Sequence, residues 1–145
     1  MPATVSTSHD YNASPDRVWQ VATSWDCLRE AVRGLIDYEP LPDEPMHQGQ
    51  VIKTNVSLFG RLPPFPYVME VVHFDPEART FASHEYGGAV KAWNHTLTVA
   101  PTPDGARLDD TIEIDAGWLT AIYALWAKFM YARRHKPRLR MLSAR

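Results

Sequence analysis

The sequence has 145 residues and contains one cysteine, Cys27. A lone cysteine excludes a disulfide framework within one chain and a zinc site made of several cysteines. The chain also has no large excess of positive or negative charge, since the formal net charge is −2. This balance gives no indication that nucleic acid or an anionic membrane is the main partner.

Long apolar runs are absent as well. The most apolar stretch, residues 118–131, is short for a transmembrane helix and is interrupted by Thr120 and Lys128. The first residues have neither a basic start nor an apolar run, so no signal peptide is predicted. We therefore expect a soluble cytoplasmic protein that does not insert into a membrane.

Motifs for cofactors are missing too. The sequence has no His-x-His, no HExxH, no cysteine pair and no glycine-rich phosphate loop. Nothing in its spacing supports a Ser-His-Asp arrangement. The sequence therefore predicts no metal site and no cofactor.

The length and an ordinary composition, 45% hydrophobic and 22% charged, predict one domain covering residues 1–145. A first strand is expected over residues 5–12. Ser14, Pro15 and Asp16 then form a helix-start signal, with a serine cap, a proline in the first turn and an acidic residue. A second short helix is expected over residues 26–34 and ends where glycine can adopt the left-handed conformation.

The middle of the chain changes from helical to alternating hydrophobicity. Turn residues separate the alternating segments, and tight turns between short strands favour an antiparallel sheet. Three prolines between Gly60 and Pro66 exclude a central strand at that point. Strands are predicted over residues 51–59, 67–74, 80–86, 90–100 and 107–115.

From Trp118 to about Met141 the pattern is helical again. Apolar residues cover a wide arc of this helix, which predicts burial over much of its surface against a concave partner. Pro137 is expected to kink or end the helix. The basic residues near its end are expected to be solvated. The apolar positions are Leu119, Ile122, Tyr123, Leu125, Trp126, Phe129 and Met130, and the basic ones are Arg133, Arg134, Lys136, Arg138 and Arg140.

One sheet and one long helix make a two-layer α+β domain. A strongly curved sheet bends away from the helix at one end and leaves a gap, which is where small molecules bind. The sequence therefore predicts a ligand cavity of several hundred cubic ångströms between the sheet and the C-terminal helix. The apolar, proline-rich loop from Gly60 to Pro66 is the candidate for a gate at the mouth of this cavity.

Several segments resemble the START-like, or SRPBCC, superfamily. They are ASPDRVW at residues 13–19, WNH at 93–95, LDDTI at 108–112 and GWL at 117–119. This superfamily includes polyketide cyclase/dehydrase-like proteins and proteins with the birch-pollen-allergen (Bet v 1-like) fold. The resemblance implies a helix-grip fold, with a curved antiparallel sheet around a long C-terminal helix and two short helices after strand 1. Its members bind lipids, sterols, polyketides, quinones or hormones, and only some of them catalyse a reaction.

His95 and Asp110 are the most informative polar residues. Alternation places each on the apolar, inward face of its strand. If Val99 lies opposite Leu108, His95 and Asp110 are diagonal neighbours whose side chains can meet. Such a pair binds a ligand, moves a proton, or only satisfies a buried polar group of the core.

Three functions are consistent with these features. The first is binding of a small, mostly hydrophobic molecule in the cavity, with no nucleic acid involved. The second is a polyketide cyclase/dehydratase-type reaction in which His95 and Asp110 act as acid and base. The third is a protein–protein interaction module that uses the apolar loop from Gly60 to Pro66, and we also consider a homodimer. The candidate ligand-binding residues are Phe65, Trp93, His95, Leu97, Asp110, Ile112, Tyr123, Trp126 and Met130.

Overall fold

The computed structural model describes residues 2–143, which form a sheet packed against helices. Within these residues the sheet has seven antiparallel strands in the order β1-β7-β6-β5-β4-β3-β2, so the first strand pairs with the last. The strands are β1 Ala3–Tyr11, β2 Ile36–Glu39, β3 Val51–Leu58, β4 Phe65–Asp75, β5 Thr80–Gly87, β6 Val90–Thr102 and β7 Gly105–Asp115.

The strands alternate between a buried inner face and a more open outer face. In β7, Leu108, Asp110, Ile112 and Ile114 are all buried on the inner face. The strand pairing is irregular between β4 and β5 and again between β5 and β6. Such irregularities bend a strand and increase its twist. The sheet therefore curls into a half-barrel, as the resemblance implied.

Two short helices follow β1, as predicted. Helix α1 spans Pro15–Ala22, and the side chain of Ser14 accepts a hydrogen bond from the backbone N–H of Arg17. Helix α2 spans Trp25–Ala31 and starts one residue earlier than expected, because Ser24 is its N-terminal cap. These caps satisfy N–H groups that have no partner within the helix.

Two details of the sheet differ from the sequence-based expectation. Strand β2 was not predicted, because four residues are too few to reveal an alternating pattern. Pro66 lies within β4, although we expected the prolines to keep this segment out of the sheet. Proline is tolerated near the start of a strand, and Pro66 is the second residue of β4.

The C-terminal helix is bent. A single 3₁₀ turn, Gly117–Leu119, leads into α3, Thr120–Arg133, and α4 follows at His135–Ser143. The break at Arg134 precedes Pro137, whose ring clashes with the carbonyl four residues before it in a continuous helix. Helix α3 lies across β1 and β7, whereas α4 packs against α1 and α2.

The burial of α3 is narrower than its composition suggests. Its buried positions are Thr120, Ala127, Met130 and Tyr131. The expectation of burial over much of the surface is wrong for Trp118, Ile122, Leu125 and Phe129, which are exposed. Apolar residues occupy two faces of this helix, and the sheet covers only one of them.

Candidate functional site

A cavity lies between the concave face of the sheet and the surrounding helices. It measures about 90 Å³, counted as the space open to the centre of a water molecule, and its wall is mostly apolar. We expected several hundred cubic ångströms, and large side chains such as Trp93, Trp126 and Tyr131 occupy much of that space. A cavity of about 150 Å³ holds benzene, so this smaller cavity has room only for a compact group of at most about one ring.

The structure brings most of the candidate ligand-binding residues to the cavity wall. Asp110 and Ile112 do not line it. Both are fully buried on the inner face of β7 and do not reach the cavity. Whether any of the nine residues contacts a ligand stays a prediction. Those that line the cavity are Phe65, Trp93, His95, Leu97, Tyr123, Trp126 and Met130.

His95 and Asp110 meet as the strand register predicted. Val99 pairs with Leu108 and His95 with Ile112, which makes His95 and Asp110 diagonal neighbours. Nε2 of His95 lies 2.6 Å from Oδ1 of Asp110. An ionised Asp110 can only accept, so the N–H is on Nε2 and donates to the carboxylate. His95 also packs edge-on against the ring of Tyr131.

A second cation stabilises the buried carboxylate of Asp110. An Arg138 guanidinium nitrogen lies 3.7 Å from Oδ2 of Asp110. Burial alone raises the pKa of Asp110, but the hydrogen bond and charge of His95 and the charges of Arg138 and Arg134 together lower it below its ordinary value. Asp110 therefore stays ionised at neutral pH.

The prediction of a solvated basic helix end is wrong for Arg134 and Arg138. Each is only 5% exposed, and both line the cavity. Arg133, Lys136 and Arg140, in contrast, are exposed as expected. The two buried arginines continue the inward stripe of the helix that passes through Ala127, Met130 and Tyr131.

Glu85 is a second buried carboxylate on the cavity wall. It accepts hydrogen bonds from the hydroxyls of Tyr67, at 3.0 Å, and Ser83, at 2.7 Å. Burial and the nearby charge of Glu85 raise the pKa of Tyr67 well above its ordinary value, and burial raises that of Tyr131 to about 12. Both tyrosines therefore keep their hydroxyl protons at neutral pH.

Sequence reasoning missed Glu85, Arg134 and Arg138. Glu85 could have been found, because it alternates with the apolar Phe81 and with Ser83 on the inner face of β5. The arginines gave a weaker signal. Their spacing of four residues continues the stripe from Met130, but the exposed apolar residues of α3 suggested a different inward face.

Aromatic side chains pack against two residues of the cavity wall, Trp126 and Phe65. Phe59, in the turn after β3, packs edge-on against Trp126 of α3, with ring centroids 5.3 Å apart. Phe65 packs against Tyr67 in the same way. A Cβ atom added at Gly88, whose φ is 57°, would lie 3.0 Å from the Phe65 ring. Glycine thus lets the β5–β6 turn approach the segment that we expected to act as a gate, a role that stays a prediction.

The comparison with protein families identifies the chain. A family model described as "Polyketide cyclase / dehydrase and lipid transport" matches residues 2–145. The chain belongs to this family. The polyketide cyclase/dehydrase and lipid transport family is of the SRPBCC type, so the resemblance seen in the sequence is confirmed. Comparison with curated proteins finds no match.

Solved structures share the architecture of this polyketide cyclase/dehydrase family member. Ara h 8.0201 superposes with a TM-score of 0.77 at 10% identity, covering 100% of both chains. Protein CV1439 from Chromobacterium violaceum gives 0.76 at 16% identity, covering 98% of this chain and 99% of the other. Norcoclaurine synthase from Thalictrum flavum, solved with dopamine and hydroxybenzaldehyde, gives 0.68 at 16% identity, covering 97% and 86%. At these identities the likeness shows the fold, and it confirms the Bet v 1-like helix grip.

Membrane-spanning helices and metal clusters are both absent from the described part of this family member. Between residues 2 and 143, no helix is both long and apolar enough to cross a membrane. The same residues contain no group of three or more histidine, cysteine, aspartate or glutamate side chains placed to hold a metal ion.

Proposed function

We propose that the protein binds a small, mostly hydrophobic molecule, lipid-, aromatic- or polyketide-like, in the cavity between the sheet and the C-terminal helix. The observation that carries this proposal is the mostly apolar cavity, into which a few polar side chains project. Ligand pockets commonly combine an apolar wall with a small number of placed polar groups. Membership of a family with a ligand-binding fold supports it further.

Two measurements test binding. Native mass spectrometry of freshly purified protein should show a co-purifying small molecule. After extraction of that molecule, the small uncharged probe fluorobenzene should bind and shift its ¹⁹F NMR signal. Ala22→Phe places a ring against the cavity and should weaken fluorobenzene binding, whereas Ala121→Phe, on the exposed face of α3, should not. If nothing co-purifies and fluorobenzene does not bind the wild type, the proposal fails.

The second candidate is a polyketide cyclase/dehydratase-type enzyme in which His95 and Asp110 act as acid and base. The arrangement of these two residues favours this candidate. His95 lines the cavity, and Asp110, which does not, accepts a hydrogen bond from Nε2 of His95. Nδ1 would then exchange a proton with the substrate, and Asp110 would orient the ring and stabilise its charged form.

Binding and catalysis can be separated with one pair of variants. If the wild type converts the co-purified molecule, His95→Ala should retain binding and lose conversion. His84→Ala is the control, because this histidine lies on the outer face of β5 and contacts Asn94. Equal conversion by wild type and His95→Ala would exclude the catalytic role of His95.

The third candidate is a protein–protein interaction, for which we propose a second copy of this chain as the partner. Trp118, Ile122, Leu125 and Phe129 form an exposed stripe with intervals of four, three and four residues, and Trp118 is 90% exposed. Alternating intervals of three and four residues are typical of apolar positions in helices that pack against each other side by side. A self-complementary patch produces a closed two-fold dimer.

The charges favour an antiparallel arrangement of the two helices. A parallel pair in register would place Lys128 close to its own copy, whereas an antiparallel pair separates these cations and sets Trp118 of one copy against Phe129 of the other. Light scattering after size exclusion should give the mass of a dimer. Leu125→Glu should yield a folded monomer, whereas Lys136→Glu should not. A wild type that stays monomeric at high concentration would exclude this partner.

A further inference from the structure

Arg134 is a buried cation that makes no close ion pair with a carboxylate in the described part of the chain, although Asp110 and Glu85 act on its charge from a longer distance. Its side chain lines the cavity and is only 5% exposed. Among the described residues, its Nε has no hydrogen-bond partner and no carboxylate oxygen lies within 4.0 Å of the guanidinium. The group lies over the ring of Tyr131, 4.1 Å from the ring centre, which fixes its plane.

The other charged groups of the cavity region already have partners. Asp110 accepts from His95 and faces Arg138 at 3.7 Å. Glu85 accepts hydrogen bonds from the hydroxyls of Tyr67 and Ser83. Arg138 thus lies within ion-pair distance of Asp110, whereas Asp110 and Glu85 act on the charge of Arg134 only from a longer distance.

A buried charge without a partner is costly, because the apolar surroundings replace water poorly. A ligand with an anionic group would remove this cost by supplying the missing acceptor. Arginine suits a carboxylate in particular, since its planar fork of N–H groups can donate two parallel hydrogen bonds.

We propose that Arg134 forms an anion subsite of the cavity and that the ligand is a small aromatic carboxylate. This inference rests on the proposed binding function and specifies its ligand. The apolar wall would hold the ring, and the carboxylate would face Arg134. The volume of about 90 Å³ is below the ~150 Å³ that hold benzene, so the ligand is limited to about a single ring with a carboxylate, bound with some rearrangement of the side chains that line the cavity.

Benzoate and benzamide provide a matched pair of probes, because they have nearly the same shape and differ in charge. We would titrate each into ¹⁵N-labelled protein and follow amide signals together with the Nε–H signal of Arg134. Benzoate should bind at least tenfold more tightly than benzamide and should shift the Nε–H signal strongly.

Arg134→Gln should remove most of this preference. Arg133→Gln is the matched control, because it removes the same charge from the adjacent, exposed position and should leave the preference unchanged. Arg134→Lys keeps the charge but loses the planar fork, so it should retain only part of the preference. If Arg134→Gln does not fold, the wild-type Nε–H shift and Arg134→Lys still decide the question.

The outcomes separate this inference from the proposed function. If fluorobenzene binds but benzoate and benzamide bind equally, the anion subsite is refuted and the binding function stands. A preference for benzoate that survives in Arg134→Gln also refutes the subsite. If benzoate, benzamide and fluorobenzene all fail to bind, the proposed function fails and this inference fails with it.

Discussion

Replacing Asp110 is the sharpest test of the buried charge cluster. Its carboxylate is almost completely buried, 2.6 Å from Nε2 of His95 and 3.7 Å from Arg138. Asp110→Ala would leave both partners buried without an acceptor. Removing one member of a buried ion pair costs about 3–5 kcal/mol. We expect a loss of that size in the free energy of unfolding.

Asp110→Asn removes the charge of this side chain and keeps its shape. The amide oxygen can still accept from His95, but the hydrogen bond becomes neutral and Arg138 loses its counter-ion. A hydrogen bond to a charged group contributes about 1.5–3 kcal/mol and a neutral one about 0.5–1.5 kcal/mol. Together with the uncompensated arginine, this predicts a loss of roughly 2 kcal/mol, between wild type and Asp110→Ala.

Urea denaturation monitored by circular dichroism measures both losses. With a slope of about 2 kcal/mol per molar urea, Asp110→Ala should lower the midpoint by roughly 1.5–2.5 M. Asp109→Ala is the control, because this carboxylate lies on the outer face of the same strand and should change stability by at most about 0.5 kcal/mol. The reasoning is refuted if Asp110→Ala shifts the midpoint no more than Asp109→Ala does.

The pH dependence provides an independent check on the same residue. The pKa of Asp110 is lowered in the folded protein, so the unfolded chain binds its proton at higher pH than the folded protein does. The stabilisation by the ionised carboxylate is therefore complete above about pH 4, the ordinary pKa of an aspartate. It is lost as the pH falls through the lower pKa that Asp110 has in the folded protein. Asp110→Asn should remove this part of the acid destabilisation, and an unchanged acid profile would contradict the assignment.

Three further predictions concern the framework of the site. Ser14→Ala should cost about 1 kcal/mol in thermal or urea unfolding, because the N–H of Arg17 loses its cap. Gly105→Ala should destabilise by about 1–3 kcal/mol, since the added Cβ would overlap the backbone oxygen of Tyr11; a neutral result would contradict this packing. Phe59→Ala removes an edge-on contact with Trp126 that contributes about 0.5–1.5 kcal/mol, and it should speed the release of fluorobenzene, measured from its ¹⁹F line shape, if this ring closes the cavity.

The sheet was more predictable from the sequence than the helix. Side chains of a strand alternate with a period of two, so the apolar neighbours of His95 and Asp110 were enough to assign both to the inner face. The tight turn before β7 then set the register, and the structure confirms each predicted pair. The four-residue strand β2 was missed because alternation over so short a segment cannot be told from chance.

The C-terminal helix was predicted in position but not in orientation. Hydrophobicity identifies a buried face only when the other faces are polar. In α3 the exposed stripe containing Ile122 and Leu125 is as apolar as the buried one. Because the side chains of Arg134 and Arg138 are charged, the sequence predicted that they are exposed to solvent. Only the bend before α4 and the depth of the half-barrel show that both are buried.

Arg134 and Arg138, which we expected to be exposed to solvent, bear most directly on function. Buried ion pairs are weak evidence for stability, because well-packed apolar side chains of the same volume are often as stabilising. Arg134 is harder to explain by stability than Arg138, since its charge faces no carboxylate within ion-pair distance in the described part of the chain. A ligand that supplies this carboxylate binds the folded protein and not the unfolded chain. It should therefore raise the free energy of unfolding by RT ln(1 + [L]/Kd), or about 2.7 kcal/mol at a hundredfold excess over Kd. Benzoate should raise the melting temperature of the wild type at concentrations where benzamide does not, and this difference should disappear in Arg134→Gln.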